Sequence, residues 1–570
     1  MVACFMIGRW IIVSNGKLKG RVLNRPGNSI AVAVTVFFIF MFSLFSIIQY
    51  LSLGDSGYDL GMHAQFLQSF LHGKLFYSPL IGESILAEHF TIFQFFQVPV
   101  YAIYQSPISL LVFQDLFVAL GGYVLYLMSK RLLNRHTKSM LSLEIVSISF
   151  LLVYEMSPYT QSLVSFPFHS MAFLPFFFLL AFYSFLTERR ILHFFSLAMI
   201  VTLHSNFVYI VAVLLFYELL FLRTRRGRDI KVWLSSRHNP RGITQFSYFM
   251  VFIAALYVYL VFAGLMKGYL SGAGFTSLLP STGATEAASS SPAGLMMLLV
   301  TNPHSFFSFI SANLGEKVFY TTFIFKNTAF LSFLSPLSLI MTIPYLLYAL
   351  PSSYGSYYQL GYQYGSMLLG PVFLGTLLGL CNMSIIAEYM KNKWPSHSKK
   401  IVSRIKNPGR LATNAKKKVS GVALISVIGA VLIVLSIVVI PYGIFSPGGM
   451  QQRPYGSEMQ DINSFSYGNT SFFLMKESAD IPPDAYILTE NTLMPYFSNH
   501  LNTYSTPWSP GIYVNLSKFT YLVFQYNSFW ATTTQSIPSL QTIAMDGLSN
   551  GTYSIIASLP SAGIFVLERN

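Results

Sequence analysis

Eight ionisable side chains crowd one stretch of a chain in which charged residues are otherwise scarce outside its basic loops. Residues 55–89 hold Asp55, Asp59, His63, His72, Lys74, Glu83, Glu88 and His89. A carboxylate held within hydrogen-bond reach of a hydroxyl can take its proton. Histidine and lysine can steady the charge that develops on a phosphate oxygen. Asp59 and His63 are four positions apart, one turn along a helix and on one face. That spacing permits a shared divalent cation. The plainer role for Asp59 is to cap a helix, and the sharper one is a catalytic or metal-binding carboxylate. Gln65 lies in the same stretch, and His169 and His204 stand at later turns between apolar runs. For any one of these histidines alone, the plainer role is a hydrogen bond at an interface.

The element that must position Asp59 is short. Leu60, Leu67 and Leu71 fall near one face, with Phe66 and Phe70 beside them. The pattern predicts an amphipathic helix over 59–71, stopped at Gly73. Around it the chain is 53% hydrophobic and 10% charged, against about 25% charged in ordinary soluble domains. This predicts a polytopic membrane protein, in which ionisable groups are costly unless function holds them. The net charge of +15 gathers in short basic loops, as the positive-inside rule expects, and calls for no nucleic-acid partner. Cys4 and Cys381 give neither a disulfide framework nor a zinc spacing. No Gly-rich phosphate loop and no CxxC pattern is present.

The charge distribution predicts a topology. Residues 1–28 carry Arg9, Lys17, Lys19, Arg21 and Arg25 without an acid, which predicts a cytoplasmic N-terminus. A membrane domain over 29–390 follows, with an outer loop at 52–107 in which residues 90–104 read as an interfacial or re-entrant helix. Residues 391–418 are basic without an acid and predict a cytoplasmic loop, and 419–441 is the last span. The apolar runs amount to about eleven spans, the run at 306–325 being taken as one that crosses inward. Strand-like runs at 485–488, 521–525, 553–556 and 563–567 predict a small α/β domain over 442–570. It is expected outside the membrane and to fold as a unit that does not carry the chemistry. The sequons at Asn469, Asn515 and Asn550 agree with that side.

Several segments resemble a known family. They are Tyr58-Asp59-Leu60-Gly61 with Gln65, His72-Gly73-Lys74, Glu88-His89-Phe90, the run 109–114 ending in Gln114, Phe168-His169, and the stretches 362–371 and 481–485. The chain is similar in these to the domain-of-unknown-function family two-zero-seven-nine of polytopic proteins. That family looks like a branch of the GT-C glycosyltransferases. The resemblance implies a helical GT-C-like bundle, a polyprenyl-phosphate-linked sugar as donor, and a catalytic acid in the first outer loop, where Asp59 stands. The chain departs from the family pattern at Ala64, at Pro167 and at His204-Ser205-Asn206, where the family more often shows acids.

The combined expectation is a multi-pass enzyme of the cell membrane. It would transfer a sugar from the lipid donor to an unidentified acceptor on the outer face. Asp59 would be the base, and His63, Gln65, Lys74, Glu88, His89, His169 and His204 would contact substrate. Asp59 and His63 are the candidate ligands if a divalent metal takes part; no cofactor is otherwise implied, and membrane lipids are the other partners. The alternatives are a secondary transporter or channel, and a non-catalytic scaffold displaying the tail. A transporter would place polar groups at mid-span.

Overall fold

The structure is a computed structural model that describes residues 26–88, 90–134, 136, 139–226, 240–270, 298–352, 354–402, 421–446, 465, 468–506, 509, 516–532 and 539–570. At its centre is the helix Pro107–Leu133. Ser106 caps it by accepting the N–H of Ile108, and Pro107 supplies a preset φ at the first helical position. The helices Pro26–Leu51, Met140–Glu155 and Leu174–Leu186 pack around it. Close approach is possible because Gly121 and Gly122 have no side chain. A Cβ at Gly121 would lie 2.3 Å from the Tyr154 hydroxyl, and one at Gly122 2.2 Å from Glu155 Oε1.

Four helices among the described residues are long and apolar enough to cross a membrane: Gly27–Leu51, Pro107–Leu133, Phe249–Leu270 and Gln363–Ile386. Met140–Glu155 and Pro158–Ser165 make a fifth if the 44° bend between them belongs to one span. Shorter apolar helices, such as Arg190–Leu203 and Ser426–Val438, accompany them. The run at 306–325 does not form one helix. It divides into Pro303–Ser311 and Leu314–Asn327, because Ala312 is extended and Asn313 takes a left-handed φ of 53°. The Asn313 amide then donates to the Tyr358 hydroxyl. The other end of Leu314–Asn327 lies beside the 3₁₀ turn Ile440–Tyr442 that follows the helix Gly421–Val438, with Phe323 and Tyr442 ring centroids 5.0 Å apart. The basic stretch that begins at Lys391 starts as a continuation of the helix Ser366–Val402.

The C-terminal unit is a mixed five-stranded sheet. Its strands are β3 (Tyr486–Glu490), β4 (Asn502–Thr506), β5 (Tyr521–Gln525), β6 (Tyr553–Leu559) and β7 (Ile564–Arg569); β1 (Tyr77–Ser78) and β2 (Glu83–Ser84) form a small separate hairpin in the loop. The order is β4-β3-β5-β7-β6, with β3 parallel to both β4 and β5 and the other pairs antiparallel. The period of two along each strand sends alternate residues to opposite faces. Leu488, Leu522, Phe524 and Leu567 meet the helix Leu540–Ser549 through Leu540, Ile543 and Ala544. Ile487, Val523 and Val566 turn the other way and join the core of the helical domain. Through these residues one face of the sheet packs on the helical part of the chain.

Candidate active site

Asp59 lies in a single π-helical turn, Gly57–Gly61, ahead of the helix Met62–Leu71. Wide turns of this kind are rare and gather at functional sites. The helix ends as Gly73 requires. Its φ is 80°, and Lys74 and Gly73 donate to the carbonyls of Ser69 and Phe70, closing a Schellman motif. Asp59 does not cap this segment; Ser56 does. The Ser56 hydroxyl accepts the Asp59 N–H at 3.2 Å and donates to Asp59 Oδ2 at 3.0 Å. The carboxylate is thereby oriented by its own turn.

Four parts of the chain close a cavity of about 50 Å³ around Asp59. Tyr58, Met62 and His63 come with it from the loop, Ile85 and Thr91 from farther along that loop, His169 and Ser170 from one turn, and His204 from another. The His63 and His169 rings are 5.8 Å apart, near perpendicular. Phe168 stands against His63 at 5.2 Å. The Gln94 side-chain amide is hydrogen-bonded to His63 Nδ1 at 2.8 Å and fixes the orientation of that ring.

His169 and His204 are held in the same way. Each is the extended residue before a short 3₁₀ turn, Ser170–Phe173 and Ser205–Phe207. Each Nδ1 accepts a backbone N–H two residues on, from Met171 at 3.2 Å and from Asn206 at 3.1 Å. An Nδ1 that accepts puts the proton of a neutral imidazole on Nε2. The two residues are thus fixed as N–H donors at one cavity. His169 is further anchored through its own N–H, which donates to Gln114 Oε1 at 2.8 Å, while Gln114 Nε2 donates to the Leu163 carbonyl at 2.8 Å.

The electrostatics suit a base. Burial pushes the Asp59 carboxyl up to about 7, and the Ser56 hydrogen bond pulls it back part of the way. Burial and the neighbouring Asp59 charge push Asp55 up to about 8. A carboxyl near 7 matches proton removal at neutral pH. Among the described residues no three His, Cys, Asp or Glu side chains group as metal ligands. Asp59 and His63 alone do not make a closed ion site.

Gln65 and Lys74, also singled out from sequence, lie elsewhere. Gln65 is fully buried, donates to the Thr503 carbonyl at 3.0 Å and accepts from the Ser78 hydroxyl; it ties the loop to the C-terminal sheet. Lys74 is exposed, with its ammonium 5.8 Å from the Tyr77 ring centroid. The Glu88 side chain and His89 lie outside the described residues. Sequence reasoning missed Ser56, Gln94 and Asn491 as positioning groups. Ser56-x-x-Asp59 is a capping-box spacing and was readable; the reach of Asn491 was not.

A family model described as "Predicted membrane protein (DUF2079)" matches residues 49–565. Among solved structures, the crystal structure of ArnT from Cupriavidus metallidurans in the apo state is similar at a TM-score of 0.42 and 11% identity, over 94% of this chain and 98% of that one. No curated protein matches.

Proposed function

The chain belongs to the DUF2079 family of predicted membrane proteins, and we propose that it is a glycosyltransferase that uses a lipid-phosphate-linked sugar at the Asp59 cavity. One observation carries this reading: a carboxyl tuned near neutrality shares a cavity with two histidines locked as N–H donors. The Asp59 carboxylate takes the proton of an acceptor hydroxyl, and that oxygen bonds to the sugar's anomeric carbon. The bond from that carbon to the donor phosphate oxygen breaks, and the lipid phosphate leaves with the electron pair. His169 and His204 Nε2–H groups donate to the departing oxygens, where the charge grows. His63 packs beside them and holds the wall of the site.

A cavity of about 50 Å³ admits reacting groups or a few waters, not a whole lipid-linked sugar. The donor's lipid and the acceptor therefore extend from it to the surface. The GT-C resemblance of the loop motifs supports the same reaction class and an outer location for the loop and tail. The test is transfer from a labelled polyprenyl-phosphate sugar by purified protein. Asp59→Asn should lower it about a hundredfold or more while the protein stays folded. Unchanged transfer would remove Asp59 from the mechanism.

A second reading is favoured by one observation. Asp115 and Glu155 are fully buried in the central helices; Ser46 is the one side chain that stands within reach of the Asp115 carboxyl, and the Glu155 carboxylate oxygens have no hydrogen-bond partner among the described residues. Buried acids in spans are a mark of ion-coupled transporters. Proton-dependent uptake into proteoliposomes that is lost in Asp115→Asn would favour that reading over the transferase.

A further inference from the structure

A second cavity, of about 190 Å³, lies where the end of Leu314–Asn327 meets the end of the helix Gly421–Val438. Its two walls differ in chemistry. Leu435, Val438 and Val439 make one of them apolar, and Lys326 and Asn327 supply polar groups on the other. Val438 is 55% exposed, so the apolar wall runs out onto the outer surface of a helix of membrane-like composition.

Asn327 is the informative residue. It is only 2% exposed, and neither its Nδ2 nor its Oδ1 has a hydrogen-bond partner among the described residues. A buried amide with both ends unmade is costly, and such groups in native proteins are satisfied by something. Its occupant must offer an acceptor to Nδ2 and a donor to Oδ1. Lys326 beside it asks for an anion. The apolar wall asks for hydrocarbon joined to that polar group.

We propose that this cavity holds the head and glycerol region of an anionic, hydroxyl-bearing membrane phospholipid. The phosphate oxygens accept from Lys326 Nζ and Asn327 Nδ2, a head-group hydroxyl donates to Asn327 Oδ1, and the chains lie along Leu435 and Val438. A zwitterionic amine lipid fits less well, because its ammonium would face Lys326. A free phosphate would satisfy Lys326 and leave the apolar wall bare. The site is independent of the Asp59 cavity and of the transferase reading.

Native mass spectrometry of the full chain, purified in detergent and incubated with phosphatidylglycerol, tests this directly. Wild type should retain one phosphatidylglycerol per chain in preference to phosphatidylethanolamine. Asn327→Leu and Lys326→Ala should each lower retention about tenfold. Val438→Trp fills the cavity from its exposed side and should abolish retention without disturbing a buried amide; monodisperse elution and an unchanged Tm confirm the fold. Wild type that retains no lipid, or variants that retain it as wild type does, would overturn the proposal. So would displacement of the lipid by millimolar inorganic phosphate, which marks a free-anion site, or stronger retention of a polyprenyl phosphate than of phosphatidylglycerol.

Discussion

Tyr58 donates its backbone N–H to the side-chain oxygen of Asn491 at 3.0 Å, across 433 positions of the chain. The same Asn491 accepts the Gly57 N–H through its carbonyl at 2.7 Å. One residue of the C-terminal unit thus grips the two amides that lead into Asp59. A tail without acids or histidines at the cavity still sets the geometry of the turn. Gly57 makes this possible: a Cβ there would lie 2.6 Å from Met494 Cβ and 2.8 Å from the Asn491 carbonyl.

Asn491→Ala should loosen the turn without touching substrate. Leaving the Tyr58 N–H without its partner costs about 1–3 kcal/mol, and transfer should fall about tenfold, mostly in kcat. Asn491→Asp keeps an acceptor and should retain more activity. Hydrogen exchange of the peptide containing Tyr58 should quicken in the alanine variant. If its exchange rate is unchanged, the grip is not what holds the turn.

Gly57→Ala should be worse than Gly61→Ala. The Cβ at Gly57 meets backbone, whereas the one at Gly61 first meets the Met494 sulfur at 2.2 Å, the flexible part of a side chain that can swing away. Overpacking that cannot relax costs about 1–3 kcal/mol. Thermal melts of the two variants in one detergent check the order, and a larger loss for Gly61→Ala would contradict it.

Transfer should depend on pH through Asp59. Its carboxyl is held near 7 by burial, and only the ionised form accepts a proton. kcat/KM should therefore rise with pH up to about 7 and level off above it. The Ser56 hydroxyl lowers this carboxyl, so Ser56→Ala should move the acid limb to higher pH. A limb that stays in place would show that Asp59 does not set it.

Stability should fall as pH rises, for a related reason. Asp55 is raised from 3.8 to about 8 on folding, so the fold favours its neutral form. Its contribution is complete below the unfolded value, declines as pH passes from about 4 to about 8, and is gone above that. Asp59 adds to the decline up to about 7. Asp55→Asn buries a group of similar shape that never ionises, and should flatten the fall in Tm between pH 5 and pH 8. An equally steep fall in this variant would exclude Asp55 as its cause.

His169→Ala and His204→Ala should each lower transfer about tenfold, less than Asp59→Asn, because each removes one donor among several. Transfer at saturating donor measures this. No loss in either variant would leave the leaving oxygens without their assigned contacts.

The sequence by itself determined the class of protein and much of its local structure. In lipid a backbone must be satisfied internally, by helices or a closed barrel, and long continuous apolar runs select helices; the runs at 108–128, 141–154 and 423–440 became the helices Pro107–Leu133, Met140–Glu155 and Gly421–Val438. Gly73 stopped its helix because a positive φ suits glycine. Four of the five tail strands were readable from β-rich runs between turns; β4, Asn502–Thr506, was not, since its Asn, Thr and Ser residues carry little apolar pattern. Tertiary structure alone decided the rest. Asp59, His63, His169 and His204 meet because separate turns converge on one side of the bundle, and no spacing along a chain encodes that. The same holds for Gln65, Lys74 and Asn491. Their residue types suited a site equally well, and only long-range packing put Gln65 under the sheet, left Lys74 in the open, and brought Asn491 to the Gly57 and Tyr58 amides.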